Sequence, residues 1–227
     1  DVRIESEVTA IDLSARQVSV RRKDGSVYTE NYDKLLLSPG SSPVRPPLKG
    51  IELEGIFTLR NVEDTDRIKN YINTHKVENA VVVGAGFIGL EMAENLHHTG
   101  AQVSIVEMSN QVMAPVDYSI ASHVHQHLLQ KGVQLYLEQG IEHFERYGNR
   151  LKVFFGSGAV IDADIVILSI GVRPETALAK ASGIAVGETG GIKVNEYLET
   201  SANNIYAVGD AIEYPHPLTD RKSSCRE

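Results

Sequence analysis

The stretch that most restricts the fold of this chain is Ala80-Val81-Val82-Val83 followed at once by Gly84-Ala85-Gly86-Phe87-Ile88-Gly89. A short β-branched run predicts a buried strand, and G-x-G-x-x-G after it predicts a tight turn into a helix. Ile88, Met92 and Leu96 recur at i, i+4 and i+8 as one helix face, and Gly100 ends the pattern. Val103 to Val106 makes a second strand, closed by Glu107, 23 residues after Gly84. The glycine spacing alone is weak, because glycine-rich turns are common. With a strand before it, a helix after it and an acid at the end of the next strand, it is a dinucleotide-binding fingerprint. Gly84 permits the tight turn, Gly86 lets backbone approach a pyrophosphate, and Gly89 lets helix and strand pack closely. The helix start then offers free N–H groups and partial positive charge to phosphates. The whole run Gly84, Ala85, Gly86, Phe87, Ile88, Gly89 is therefore assigned to cofactor binding. Glu107 is positioned to accept hydrogen bonds from ribose hydroxyls and to repel a 2′-phosphate. Met108, Ser109, Asn110 and Gln111 bring no Arg or Lys to offset that repulsion, so NADH is expected over NADPH.

The pattern continues as strand and helix in alternation. Asp117 is placed to cap a helix with Ile120, Val124 and Leu128 facing inward and Gly132 at its end. Val133 to Leu137 is a third strand. Strand-like runs fill 141–161, broken at Gly148-Asn149 and Gly156-Ser157-Gly158, and Ile165 to Ile170 is a last apolar strand. Such alternation argues for an α/β fold: a three-layer, Rossmann-like domain on a parallel sheet. Upstream, residues 2–31 read as short strands with a hairpin turn at Asp24-Gly25. Leu35-Leu36-Leu37 is a short buried strand, a proline-rich connector follows, and Asn61 opens a helix running through Ile68 and Ile72. Downstream, Ile205 to Val208 is a strand ending in Gly209-Asp210-Ala211. Gly209 permits close approach of a ligand, and Asp210 sets an acceptor at a strand's carboxyl end. A strand followed by an Asp turn is commonplace, so on residues alone this second site is only an indication.

Charge and cysteine usage narrow the class further. A net charge of −8 with no basic stripe is unsuited to a phosphate backbone, so no nucleic-acid partner is expected. No apolar run has the length of a membrane span, and no membrane association is expected. The single cysteine, Cys225, excludes an internal disulfide framework and fits a reducing compartment, so the expected location is cytoplasmic.

Several stretches together resemble the pyridine nucleotide-disulfide oxidoreductases. Thr200 to Ala211 is similar to the family's second flavin motif, whose Asp, here Asp210, binds the ribityl chain of FAD, with Gly209 beside it. Leu36-Leu37-Ser38-Pro39-Gly40-Ser41-Ser42-Pro43 resembles the A-T-G-S-x-P linker, with Ser38-Pro39 in place of Ala-Thr. Ile170-Gly171-Val172-Arg173-Pro174-Glu175-Thr176 resembles the G-V-R-P-N-T turn after the NAD domain. Glu7 to Asp12 resembles the strand whose backbone, here at Val8, meets the flavin adenine. The resemblance implies FAD contacts at Val8, Ser38, Pro39, Gly40, Gly171, Gly209 and Asp210. It also implies a layout of partial FAD-binding domain (1–75), NAD(H)-binding Rossmann domain (76–170) and the second part of the FAD-binding domain (171–227). Phe87 to Leu96 and Gln111 to Asp117 look most like the branch of coenzyme A disulfide reductases, NADH oxidases and NADH peroxidases.

The implied activity is hydride transfer from NADH to FAD and on to a disulfide, peroxide or oxygen, in a full-length protein that is a homodimer. Phe87 stands where the family often has an aromatic gate between nicotinamide and flavin; an apolar residue at a helix start explains it equally. Glu91 matches a glutamate that pairs with a lysine beside the flavin in relatives, which makes Phe87 and Glu91 the candidate catalytic pair. The 227 residues hold one glycine fingerprint, so the chain is expected to be an internal piece that keeps NAD(H) binding and holds FAD poorly. A ferredoxin-type reductase and a non-catalytic nucleotide-binding module are the alternatives. His123, His125 and His127 invite a metal, but only His123 and His127 share a helix face, with no third ligand nearby. They are expected to be solvated, and no metal site is assigned. Cys225 has no activating neighbour and is expected to be incidental.

Overall fold

The computed structural model describes residues 1–215 and the backbone of residues 222–224; Cys225 lies outside the described residues. The chain forms two compact units, residues 1–42 together with the segment from Arg173 onward, and Pro43–Val172.

The first unit opens with β1 (Ser6–Asp12), β2 (Gln17–Arg22) and β3 (Val27–Asn31), an antiparallel sheet whose middle strand is β2. Asp24 and Gly25 make the expected β2–β3 turn; the Asp24 carboxylate accepts from the Ser26 N–H and hydroxyl at 2.9 and 2.7 Å. Then come β4 (Leu35–Leu37) and β5 (Ser41–Pro43).

The second unit begins as a Rossmann half. Its elements are β6 (Ile56–Thr58), α1 (Val62–Thr74), β7 (Asn79–Val83), α2 (Phe87–His98), β8 (Gln102–Val106), α3 (Tyr118–Gln130) and β9 (Gln134–Tyr136). An antiparallel meander follows, β10 (Ile141–Tyr147), β11 (Arg150–Phe155) and β12 (Val160–Ala163), before the chain returns through β13 (Ile165–Leu168). The five parallel strands run β6-β13-β7-β8-β9. Alternation of side chains along β7 explains the three layers. Ala80 and Val82 pack with Ala93 and Leu96 of α2 and Ile68 of α1, whereas Val81 and Val83 pack with Phe144, Leu151, Val153 and Phe155 of the meander. A parallel sheet must be covered on both faces, and each buried Val, Leu, Ile or Phe among these contributes roughly 1.5–3 kcal/mol.

The first unit resumes in β14 (Val172–Pro174), α4 (Ala177–Ala181), β15 (Ile192–Lys193) and β16 (Ile205–Ala207), then a single 3₁₀ turn at Gly209–Ala211, β17 (Ile212–Pro215) and β18 (Lys222–Ser224). β16 pairs parallel with β4, joining residues about 170 positions apart, and Ile11, Val18, Leu37, Ile192, Ile205 and Ile212 share one core.

Three expectations need correction. The units divide at 42/43 and 172/173, not at 75/76 and 170/171, because β6 adds to the edge of the Rossmann sheet beside β13, in register Val166 to Ile56. Ile120 does not face inward; it is 55% exposed, and the buried position on α3 is Ala121, while on α2 Gly89, Ala93 and Leu96 are buried and Ile88 is 43% exposed. Asp117 does occupy the N-cap position of α3, but its side chain makes no capping hydrogen bond.

Candidate functional site

At the carboxyl ends of β7, β8 and β13 the backbone is held in one tight arrangement. Gly84 has φ +98, and a Cβ there would meet the Ser169 carbonyl oxygen at 2.4 Å. Its N–H donates to the Val106 carbonyl at 2.8 Å, joining the turn to β8. Ser169, immediately after β13, donates its hydroxyl to the Val83 and Gly84 carbonyls, both at 3.0 Å. Gly89 faces the same backbone: an added Cβ would lie 2.0 Å from the Gly84 carbonyl oxygen. Gly86 differs, since nothing lies within 4 Å of a Cβ added there. Two glycines are therefore required for packing, and the third leaves an open approach to the backbone.

Gly86 is the N-cap of α2 and offers no side chain to cap it. The first N–H groups of a helix have no partner within the helix. Here they are left to a ligand or to water, with the positive end of the helix dipole behind them. Phe87 and Ile88, the first two helical residues, are 63% and 43% exposed at this rim. One turn further on, Glu91 is exposed and its carboxylate has no partner among the described residues.

Glu107 is tied into the same turn. Its Oε2 accepts the Ala85 N–H and its Oε1 the Ser109 N–H, both at 2.8 Å. An ionised carboxylate has about four acceptor directions. Each oxygen thus keeps capacity for a ligand hydroxyl while the glycine turn fixes its position. The segment after Glu107 closes the ring: Met113, in the left-handed region at φ 53, donates its N–H to the Ala85 carbonyl at 2.9 Å.

A second set of residues sits in the first unit, at the carboxyl ends of β4 and β16. Val208 donates its N–H to the Leu37 carbonyl at 3.0 Å, bringing Gly209 (φ +76) beside Ser38, whose Oγ would lie 3.5 Å from an added Cβ. The Asp210 carboxylate accepts from the Ser41 hydroxyl at 3.1 Å and is otherwise exposed. Gly40 (φ +73) accepts the Glu175 N–H at 2.9 Å, and Ser38 and Pro39 are exposed. Val8 lies on β1 at a bulge, 39% exposed. Gly171, in the second unit, has φ +102 and accepts the Val44 N–H at 3.0 Å.

The structure thus brings Gly84, Ala85, Gly86, Gly89 and Glu107 into one turn, and Ser38, Gly40, Gly209 and Asp210 into another. Ser169 was not identified from sequence; Ser41 entered only as part of the linker motif and His125 only as an expected solvated histidine. Ser169 and Ser41 carry one readable signal, since each follows a parallel strand's carboxyl end, where α/β folds place ligands. Of the three α3 histidines, His123 and His127 are exposed as expected, whereas His125 is half-buried and accepts the Val112 N–H.

These features define a dinucleotide-binding α/β protein with a second ligand-facing turn. The profile of the family described as pyridine nucleotide-disulphide oxidoreductase matches residues 1–223, and the chain belongs to that family. An NADH oxidase of Methanocaldococcus jannaschii is 37% identical over 98% of this chain and 50% of that protein. A coenzyme A disulfide reductase of Staphylococcus haemolyticus is 36% identical over 91% of this chain and 46% of that protein. The solved structure of reduced CoADR-RHD from Bacillus anthracis superposes with a TM-score of 0.95 at 46% identity, over 99% of this chain and 40% of that one. The chain spans about half the length of the curated relatives it matches. FAD and NAD(H) are the cofactors that membership in the family implies.

Proposed function

We propose that the chain is the nucleotide-handling part of an FAD-dependent NADH oxidoreductase that passes hydride from NADH to FAD and onward to a disulfide, peroxide or oxygen. The observation that carries this reading is the uncapped start of α2 at Gly86, with open space where a Cβ would stand and the Glu107 carboxylate fixed to Ala85 beside it. That arrangement fits a dinucleotide. The N–H groups of the first turn take the pyrophosphate, and the remaining acceptor directions of Glu107 take the adenosine ribose hydroxyls. Phe87, exposed at the rim, is placed to gate the nicotinamide side, and Glu91 is free to take a basic partner. In the other unit Asp210, held by Ser41 and half-open to solvent, fits a polyhydroxyl chain such as the ribityl of FAD, with Ser38, Pro39, Gly40 and Gly209 around it and Val8 toward the adenine. Nicotinamide and flavin supply the hydride chemistry when bound, and the protein supplies position and electrostatics.

The acceptor classes rest on the family resemblance and on relatives named as an NADH oxidase and a coenzyme A disulfide reductase. A cytoplasmic location is part of the proposal, supported by one cysteine in 227 residues, as is a homodimeric full-length protein. The test is the ratio of NADH to NADPH affinity in the unsubstituted chain and in Glu107→Ala. Loss of the loop contacts to Ala85 and Ser109 affects both nucleotides and cancels in the ratio. The unsubstituted chain is expected to favour NADH, and the substitution to reduce that preference about tenfold or more, as for a lost hydrogen bond to a charged group. An unchanged ratio, or a preference for NADPH at the start, contradicts the assignment.

A further inference from the structure

His125 makes the α3 contact that the nucleotide reading leaves unexplained. Its Nε2 accepts the backbone N–H of Val112 at 3.0 Å. A backbone amide only donates, so the contact requires a neutral imidazole with its proton on Nδ1. Val112 is fully buried at 0% exposure, and its amide has no route to water as a substitute acceptor. The adjoining residue carries the restraint to the site: the Met113 N–H donates to the Ala85 carbonyl, and the Ala85 N–H donates to Glu107. Gln111 closes the segment on itself, donating from Nε2 to the Val116 carbonyl at 2.8 Å. The stretch 108–116 is thus held near its middle by adjacent contacts, Val112 to the imidazole and Met113 to the glycine turn, and near its start by Ser109, whose carbonyl accepts the Glu138 N–H.

We propose that His125 is a positioning residue for the dinucleotide. Its imidazole holds the 108–116 segment against the glycine turn, and without that acceptor the segment loosens and the adenosine half binds more weakly. The inference rests on the reading of Gly84–Gly89 and Glu107 as the nucleotide site. A side chain without an acceptor at this position leaves the buried Val112 amide unpaired. Tyr118, on the same helix, meets the imidazole edge-on with centroids 6.1 Å apart. The 108–116 segment holds no ionisable side chain, Asp117 is exposed at the helix start, and Tyr136 on β9 bonds to Gln134. Glu107 is engaged by Ala85 and Ser109. Among the described residues no carboxylate pairs with His125.

ADP-ribose is the probe, because its pyrophosphate and adenosine ribose are the groups the glycine turn and Glu107 would hold. His125→Gln keeps an acceptor opposite the Val112 N–H and should bind ADP-ribose as tightly as the unsubstituted chain. His125→Leu removes the acceptor and should bind about tenfold more weakly, the size expected when a buried amide loses its partner. Equal affinity in His125→Leu and the unsubstituted chain overturns the inference, as does a loss in His125→Gln as large as in His125→Leu. If His125→Leu fails to fold, hydrogen exchange at the Val112 amide decides: slower exchange with ADP-ribose bound is expected, and no change overturns the inference. Failure of the unsubstituted chain to bind ADP-ribose at any pH instead removes the nucleotide-site reading, and this inference with it.

Discussion

The three glycines of the turn separate two kinds of constraint that look alike in sequence. Gly89 is pressed on the Gly84 carbonyl, so Gly89→Ala forces backbone apart and should cost about 1–3 kcal/mol, seen as a lower denaturation midpoint. Gly86 has an ordinary φ of −77 and open space around it, so Gly86→Ala should leave the midpoint unchanged while weakening NADH. A fall in stability equal to that of Gly89→Ala would show that Gly86 is structural. The turn at Gly84 and the close packing at Gly89 were legible from spacing, because strand, turn and helix are contiguous. Ser169 and His125 were not legible, since their partners lie 85 or more and 13 residues away and only the fold brings them together.

At the scale of elements, local signals located starts better than faces. Asn61 accepts the Asp64 N–H at 2.9 Å, and Asp64 reaches back to the Arg60 and Asn61 amides, a complete capping box. Asn61→Ala should lower stability by about 1 kcal/mol in a denaturant titration, and no change would mean that packing alone sets the start of α1. Asp117 holds the same position on α3, at φ −61 where Asn61 has φ −137, without using its side chain. Of the α2 stripe Ile88-Met92-Leu96, Leu96 is buried and Met92 packs against the core, while Ile88 is exposed. Contact at Gly89 draws the helix onto the sheet, so the buried face runs through Gly89 and Ala93 as well as Leu96. Hydrophobicity gives the period of a helix, and close approach decides which phase is buried.

For the whole molecule, the alternation of strand and helix from Asn79 to Gln130 fixed the Rossmann half, and the pairing of β4 with β16 joins segments that the sequence separates by that half. The boundary at 42/43 was less legible, because β6 is three residues long and a strand that short carries no period. The 227 residues contain one G-x-G-x-x-G, and Asp210 has no glycine turn of its own for a second pyrophosphate. The purified chain is therefore expected to carry little flavin absorbance and to show little NADH oxidation when FAD is added; stoichiometric yellow protein with turnover would contradict that expectation. The central claim is narrower, that the nucleotide sits on the uncapped start of α2. Titrating the ¹⁵N-labelled chain with NADH tests it residue by residue. The account predicts that the largest amide shifts fall on Gly84 to Ile88 and on Glu107 to Ser109, with Val8, Gly40 and Asp210 unmoved. Shifts centred on Asp210 or spread outside the glycine turn, or no saturable shifts at all, would contradict it.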